Sequence, residues 1–127
     1  MRRRWQIACY IDATGCQPVI EYISDGTNIN DLDVIFGDIQ RLSRAGQDLV
    51  DTNAANQIEG PIYELRPNRH RIMYAEDKPK NRFVLLSAFL KKTKKTPPEE
   101  IEKAKRYWDD YLRTENCEVL RFGFEDN

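Results

Sequence analysis

Apolar positions fall into two rhythms along the 127-residue chain, and each rhythm predicts a kind of element. Trp5 to Ile11 is short, apolar-rich and β-prone, which predicts a first strand. The turn chemistry of "DATGCQP" follows, with Gly15 free to take positive φ and Pro18 placed to open a short helix to about Ser24. Residues 24–31 read as a further loop. Leu32, Ile35, Phe36, Ile39 and Leu42 then recur at three- and four-residue steps. That spacing predicts an amphipathic helix from about Asp31 to Ala45, with Asn30 as its N-cap and Gly46 just past its end. Gly37 weakens it by up to ~1 kcal/mol relative to alanine. Residues 47–60, rich in Asn, Gln and Asp, read as a long connection.

Three strands are expected next, at Ile62–Arg66, Arg71–Ala75 and Phe83–Leu90. The short, turn-rich segments "PNRH" and "EDKPKN" separate them, which predicts an antiparallel meander. The third run is apolar on both parities, as befits a central strand covered on each face. Thr96-Pro97-Pro98-Glu99 has the form of a capping box with proline at the first helical position. Ile101, Ala104, Trp108 and Tyr111 or Leu112 would form the buried stripe of the helix it starts. Glu118 to Phe124 can add a last strand. The expected fold is α+β: a small antiparallel sheet with the N-terminal helices on one face and a C-terminal helix, in one domain spanning residues 1–127.

Charge changes this picture more than composition does. The whole chain carries 20 basic and 21 acidic residues. Residues 61–95, however, hold ten Lys or Arg against three acids, net +7, while residues 10–60 hold nine acids against two Arg, net -7. A segment so biased makes an electrostatic face that the remainder does not cancel locally. Cys9, Cys16 and Cys117 form no CxxC pair and read as reduced thiols. No apolar run reaches the length of a membrane span, so a cytoplasmic protein without membrane attachment is expected.

With a single histidine, His70, neither a two-histidine mechanism nor a histidine-rich metal site is available. Walker A, GxGxxG and GxSxG motifs are absent. His70 itself reads as a solvated turn residue. The basic residues are more informative. Arg66 closes one strand, Arg69 and His70 occupy the turn, and Arg71 opens the next strand. In a meander, Lys91, Lys92, Lys94 and Lys95 leave the third strand near that same turn. Like charges gathered at one edge cost free energy unless a counterion or ligand sits there. A solvated lysine face is the bland reading and a phosphate-rich partner the sharper one. Glu64 shares strand parity with Arg66 and reads as paired with a nearby arginine rather than as a general base, while Tyr63 and Tyr74 read as core aromatics rather than acids.

The stretches "GPIYELRPNRHRIMYA" and "VLLSAFLKKTKKTPPEEIEKAKRYWDDY" resemble the phage-derived Gp49-like/HigB branch of the RelE/ParE toxin superfamily. Gly15, Pro18 and Val19 are similar to an early G-x-x-P-V segment of that branch. The resemblance implies a RelE-like toxin that cleaves messenger RNA, often on the ribosome, with no cofactor or metal. It also implies a helix-turn-helix antitoxin as partner. By position it makes Arg66, Lys91 and Lys92 catalytic, with Arg69, His70, Arg71, Lys94 and Lys95 binding RNA. Arg66 would stabilise the developing charge, and a lysine crowded by others would have its charged form disfavoured, lowering its pKa toward use as a base. The alternative from another class is a non-catalytic protein of the same fold, of phage or mobile-element origin, that binds a protein or nucleic acid.

Overall fold

The computed structural model describes residues 4–26 and 28–121. It contains strands β1 (Gln6–Tyr10), β2 (Ala55–Glu59), β3 (Ile62–Leu65), β4 (His70–Asp77), β5 (Arg82–Leu90) and β6 (Cys117–Val119). Its helices are α1 (Pro18–Ser24), α2 (Leu32–Ala45) and α3 (Pro98–Thr114). The strands form one sheet in the order β2-β3-β4-β5-β1-β6. The meander β3-β4-β5 is antiparallel as expected, and β2 extends it by one strand.

The sheet is mixed rather than wholly antiparallel, because β1 lies parallel to β5, with Gln6 opposite Arg82 and Cys9 opposite Leu85. Ile7, Ala8, Cys9 and Tyr10 are all buried. Such a strand is apolar on both sides and belongs inside a sheet rather than at its edge. The parallel pairing then requires a long crossover, which α1, α2 and the meander supply. The last strand is shorter than expected within the described residues. Residues 122–124 of the expected strand lie outside them.

Two apolar cores lie on opposite faces of the sheet. On one face, Val19 and Ile23 of α1 and Ile35, Ile39 and Leu42 of α2 pack against Ile7, Leu65, Ile72, Tyr74 and Leu85. On the other, Ala104, Trp108 and Tyr111 of α3 cover Ile62, Met73, Val84 and Leu86. The three- and four-residue steps in α3 put these side chains on one stripe. Tyr111 takes the inner position, and Leu112 is 55% exposed. Strand β5 is buried against both layers, as its apolar run on both parities predicts.

Residues 47–60 are not a plain connection. Gly46–Leu49 form a 3-10 turn and Ala55–Glu59 an edge strand, β2. "ANQIE" carries one large apolar residue and faces solvent along much of its length, so its pattern is that of a polar edge strand. The helix-capping expectations also change at α2. A 3-10 turn, Ile29–Asp31, precedes that helix, and Asp31 stands at its N-cap position without capping it through its side chain. Asn30 is therefore not the cap.

Gly46 ends α2 as predicted, with φ 60° and ψ -144° and its amide donating to the Leu42 carbonyl. A Cβ built there would lie 2.6 Å from the Trp5 ring. Gly46→Ala thus meets both a glycine-only backbone and an occupied volume. The first costs about 1–2 kcal/mol, and the second about 1–3 kcal/mol. Urea unfolding should show the sum, and Trp5→Ala combined with Gly46→Ala should recover the steric part. If both Gly46 variants lose equal stability relative to their own backgrounds, the ring contact has no energetic weight.

Candidate functional site

The turn between β3 and β4 and the exit of β5 sit at one end of the sheet. Register places His70 opposite Leu90 and Arg71 opposite Phe89. The Lys91 amide continues the pairing by donating to the Arg69 carbonyl at 2.8 Å. The turn itself closes through the His70 amide to the Pro67 carbonyl, with Asn68 at φ 56°. As a result Arg66, Arg71, Lys91, Lys92, Lys94 and Lys95 all line one cavity of about 220 Å³, together with Glu64 and Thr96. Two basic clusters separated by some twenty residues in sequence meet there. Arg69 is exposed on the turn and is not among the lining residues.

Glu64 is the organising group of this cavity. It is 2% exposed. One carboxylate oxygen accepts from Arg66 Nε at 3.0 Å and lies 3.8 Å from Arg71 Nε. The other accepts from the Thr96 hydroxyl at 2.6 Å. A buried carboxylate is tolerated only with partners of this kind. The ion-pair reading of Glu64 holds, and both of its oxygens are occupied. Arg71 is committed as well, since Nη1 donates to the carbonyls of Asn68 and His70 at 2.9 and 2.8 Å. Burial pulls the Arg71 pKa down, and Arg66 adds to that effect while Glu64 opposes it. Arg66 remains 33% exposed at its side chain. It is the arginine best placed to meet a ligand.

His70 is not a solvated turn residue. It is 2% exposed. Its Nδ1 lies 2.7 Å from the Tyr22 hydroxyl and its Nε2 2.7 Å from an Asp31 carboxylate oxygen. Successive strand residues point to opposite faces, so His70 shares the α1 and α2 side with Ile72, while Arg71 turns to the α3 side. The imidazole ties Tyr22 of α1 and the start of α2 to the root of the basic turn. It is thereby removed from the cavity that the other basic residues line. A sequence reading that sees only neighbours along the chain cannot find partners 48 and 39 positions away.

Thr96 also has a different role from the one its motif suggests. The N-cap of α3 is Pro97, with extended φ and ψ, and no side chain caps the helix. Pro98 occupies the first helical position, and Glu99 and Glu100 complement the helix dipole in the first turn. The Thr96 hydroxyl goes to Glu64 instead, fastening the entry of α3 to β3 across the cavity. Tyr74 is buried and Tyr63 stacks on it at 5.6 Å between ring centres, so the core reading of both holds.

Elsewhere, Cys9 is buried, and desolvation, with Glu118 and Cys117 adding, pushes its thiol up to about 12. Among the described residues no group of three or more His, Cys, Asp or Glu could hold a metal ion. Nor is any described helix long and apolar enough to cross a membrane.

Replacing Thr96 separates the two readings of that residue. Thr96→Ala leaves a buried carboxylate oxygen without its partner, at a cost of about 1–3 kcal/mol. Thr96→Ser keeps the hydroxyl and should lie within about 0.5 kcal/mol of wild type. Equal denaturation midpoints for the alanine and serine variants would show that water replaces the hydroxyl at no cost.

No curated protein matches the chain. The family model described as "Phage derived protein Gp49-like (DUF891)" matches residues 27–109. That span is about two thirds of the chain and takes in α2, the strands β2 to β5, the whole basic cavity and most of α3. The protein belongs to the phage-derived Gp49-like family.

Proposed function

We propose that this protein is the toxin of a type II toxin-antitoxin pair, a metal-independent endoribonuclease that cuts messenger RNA on the ribosome. In this reading its fold is RelE-like, it works in the cytoplasm, and a helix-turn-helix antitoxin keeps it silent. One observation carries the proposal: Arg66, Arg71 and four lysines converge on a single cavity around a buried carboxylate. Membership of the Gp49-like family agrees with it.

The chemistry suits those residue types. The RNA 2′-oxygen attacks the adjacent phosphorus, the bond to the 5′-oxygen breaks, and a cyclic phosphate and a 5′-hydroxyl result. One proton leaves the 2′-hydroxyl and another reaches the departing oxygen, while negative charge grows on the phosphoryl oxygens. Arg66 gives its Nε to Glu64, so its two terminal nitrogens stand outside that bond. A guanidinium held by one edge offers a preorganised fork to phosphate. Lys91 and Lys92 are assigned the proton transfers. Lys94 and Lys95, with Arg69 on the turn, bind the flanking phosphates. Arg71 serves chiefly to brace the turn through its two carbonyl bonds.

A second reading is favoured by one feature. Glu64 offsets part of the positive charge, and no imidazole or phenol lines the cavity among the described residues. A protein that holds RNA there without cutting it would need no such groups.

Induced expression should arrest growth and leave cut transcripts, and Arg66→Ala should lower cleavage by about 100-fold or more, as loss of a preorganised charge donor does. The variant also takes a partner from the buried Glu64 carboxylate and should unfold at a lower midpoint, so cleavage is compared under conditions where it remains fully folded. Normal growth with intact transcripts under wild-type expression would refute the nuclease, and RNA that binds uncut would support the second reading.

Salt dependence provides a separate measure. Lys94→Gln should weaken RNA binding evenly across sequences and reduce the slope of log K against log salt by about 1, one phosphate contact having been lost. If wild type and variant respond identically to salt, the lysine run is a solvated face.

A further inference from the structure

Strand β5 outlasts its neighbour. The pairing with β1 runs from Arg82 to Leu85, yet β5 continues to Leu90. Among the described residues, residues 87–90 therefore have β4 on one side and no strand on the other. A strand edge of this kind presents backbone N–H and C=O groups that can pair with another chain. This edge is not flat and open. It forms the floor of a slot of about 840 Å³ whose walls are α1 and the first two turns of α3.

Two further observations bear on what the slot takes. Ser87, on its floor, is 2% exposed, and its hydroxyl oxygen has no hydrogen-bond partner among the described residues. Buried hydroxyls in folded proteins are nearly always paired, so one left over beside an open edge marks a place for a polar group. The walls are acidic. Glu21 stands on α1, Asp25 just past its end, and Glu99 and Glu100 on α3, against Lys92 and Lys103.

We propose that this slot binds an extended segment of a protein partner, which joins the sheet beside β5 in line with β1 and carries basic side chains toward the α1 and α3 carboxylates. Four or five residues at about 3.3 Å each would span the free edge. Main-chain pairing would supply affinity, and the wall carboxylates would supply preference for lysine or arginine. Phosphate-rich ligands are disfavoured by the same carboxylates. A second copy of this chain is disfavoured on two grounds. Its own edge is recessed between the same two helices, and pairing would set acidic walls against acidic walls. Phe89, Lys92 and Pro97 line both this slot and the basic cavity, so a bound segment would lie directly against the candidate site.

The test uses the full chain and a capped, fluorescein-labelled hexapeptide of alternating lysine and valine. Comparison peptides replace lysine by glutamate or methylate every backbone amide. The lysine peptide should bind at least tenfold more tightly than either, and slow hydrogen exchange at residues 87–90. Glu21→Lys combined with Glu99→Lys should cut its affinity at least tenfold. Both residues are exposed and outside the basic cavity, so the fold should be kept and RNA binding should not weaken. The proposal is overturned if methylation leaves binding unchanged, since ionic adhesion alone would explain that, or if the charge reversals leave it unchanged, since the peptide would then bind elsewhere. It also fails if an RNA oligonucleotide, rather than the peptide, protects residues 87–90. Self-association in sedimentation that the double variant abolishes would assign the slot to a second copy and refute it too. None of these outcomes depends on whether the protein cleaves RNA.

Discussion

One buried carboxylate holds together the parts of this molecule that bear charge. Glu64 is on β3, Arg66 and Arg71 flank the turn to β4, and Thr96 stands at the entry to α3. Removing one member of a buried charged pair costs about 3–5 kcal/mol, because the other charge is left without compensation. The same arithmetic explains why Glu64 stays inside the cavity. Two guanidiniums and four ammonium groups gathered around about 220 Å³ would repel one another, and a fixed negative charge at their centre lowers that repulsion. The carboxylate thereby permits a denser cationic site than the protein could otherwise hold. In the proposed reaction it also fixes the Nε side of Arg66, so that the guanidinium need not reorganise when a phosphate arrives.

The second constraint is the insertion of β1 between β5 and β6. It makes β5 the central strand, buried against α1 and α2 on one side and α3 on the other. That position explains why the exit of β5 is a rigid place to mount lysines. The residues just before them are paired to β4 as far as the Arg69 carbonyl. It also explains the free edge, for β1 has five residues and β5 has nine.

What could be read from the sequence followed local periodicity. α2 and α3 were legible because apolar spacing of 3.6 is written in consecutive residues, and α1 and the meander because Pro18 and the turn-rich segments mark their bounds. The convergence of residues 66–71 with 91–95 was legible too, since a meander returns its third strand to the first turn. The parallel β1 and the start of α2 were not, nor were three further features. The polar edge strand β2 lacks the apolar alternation that identifies strands. Thr96 fits a capping motif, yet a buried carboxylate 32 residues earlier takes its hydroxyl. His70 sits in a turn-like string, but strand pleating turns it inward to Tyr22 and Asp31. In each case a tertiary partner overrode the local signal, and such partners leave no trace in spacing.

The near-zero net charge of the chain hides two adjoining fields of opposite sign. The basic cavity and the acid-walled slot lie on either side of Phe89, Lys92 and Pro97. At that separation the fields are not fully screened at physiological ionic strength, where the Debye length is about 8 Å. An anionic ligand in the cavity and a cationic segment in the slot would each lower the electrostatic cost of the other. Occupants of equal sign would compete without touching. Coupling of this kind needs no moving part beyond the β5 exit itself, because both sites are built on the same few residues. On the proposed reading, four acids outside the basic segment, Glu21, Asp25, Glu99 and Glu100, serve as the working surface of the slot beside the cationic cavity.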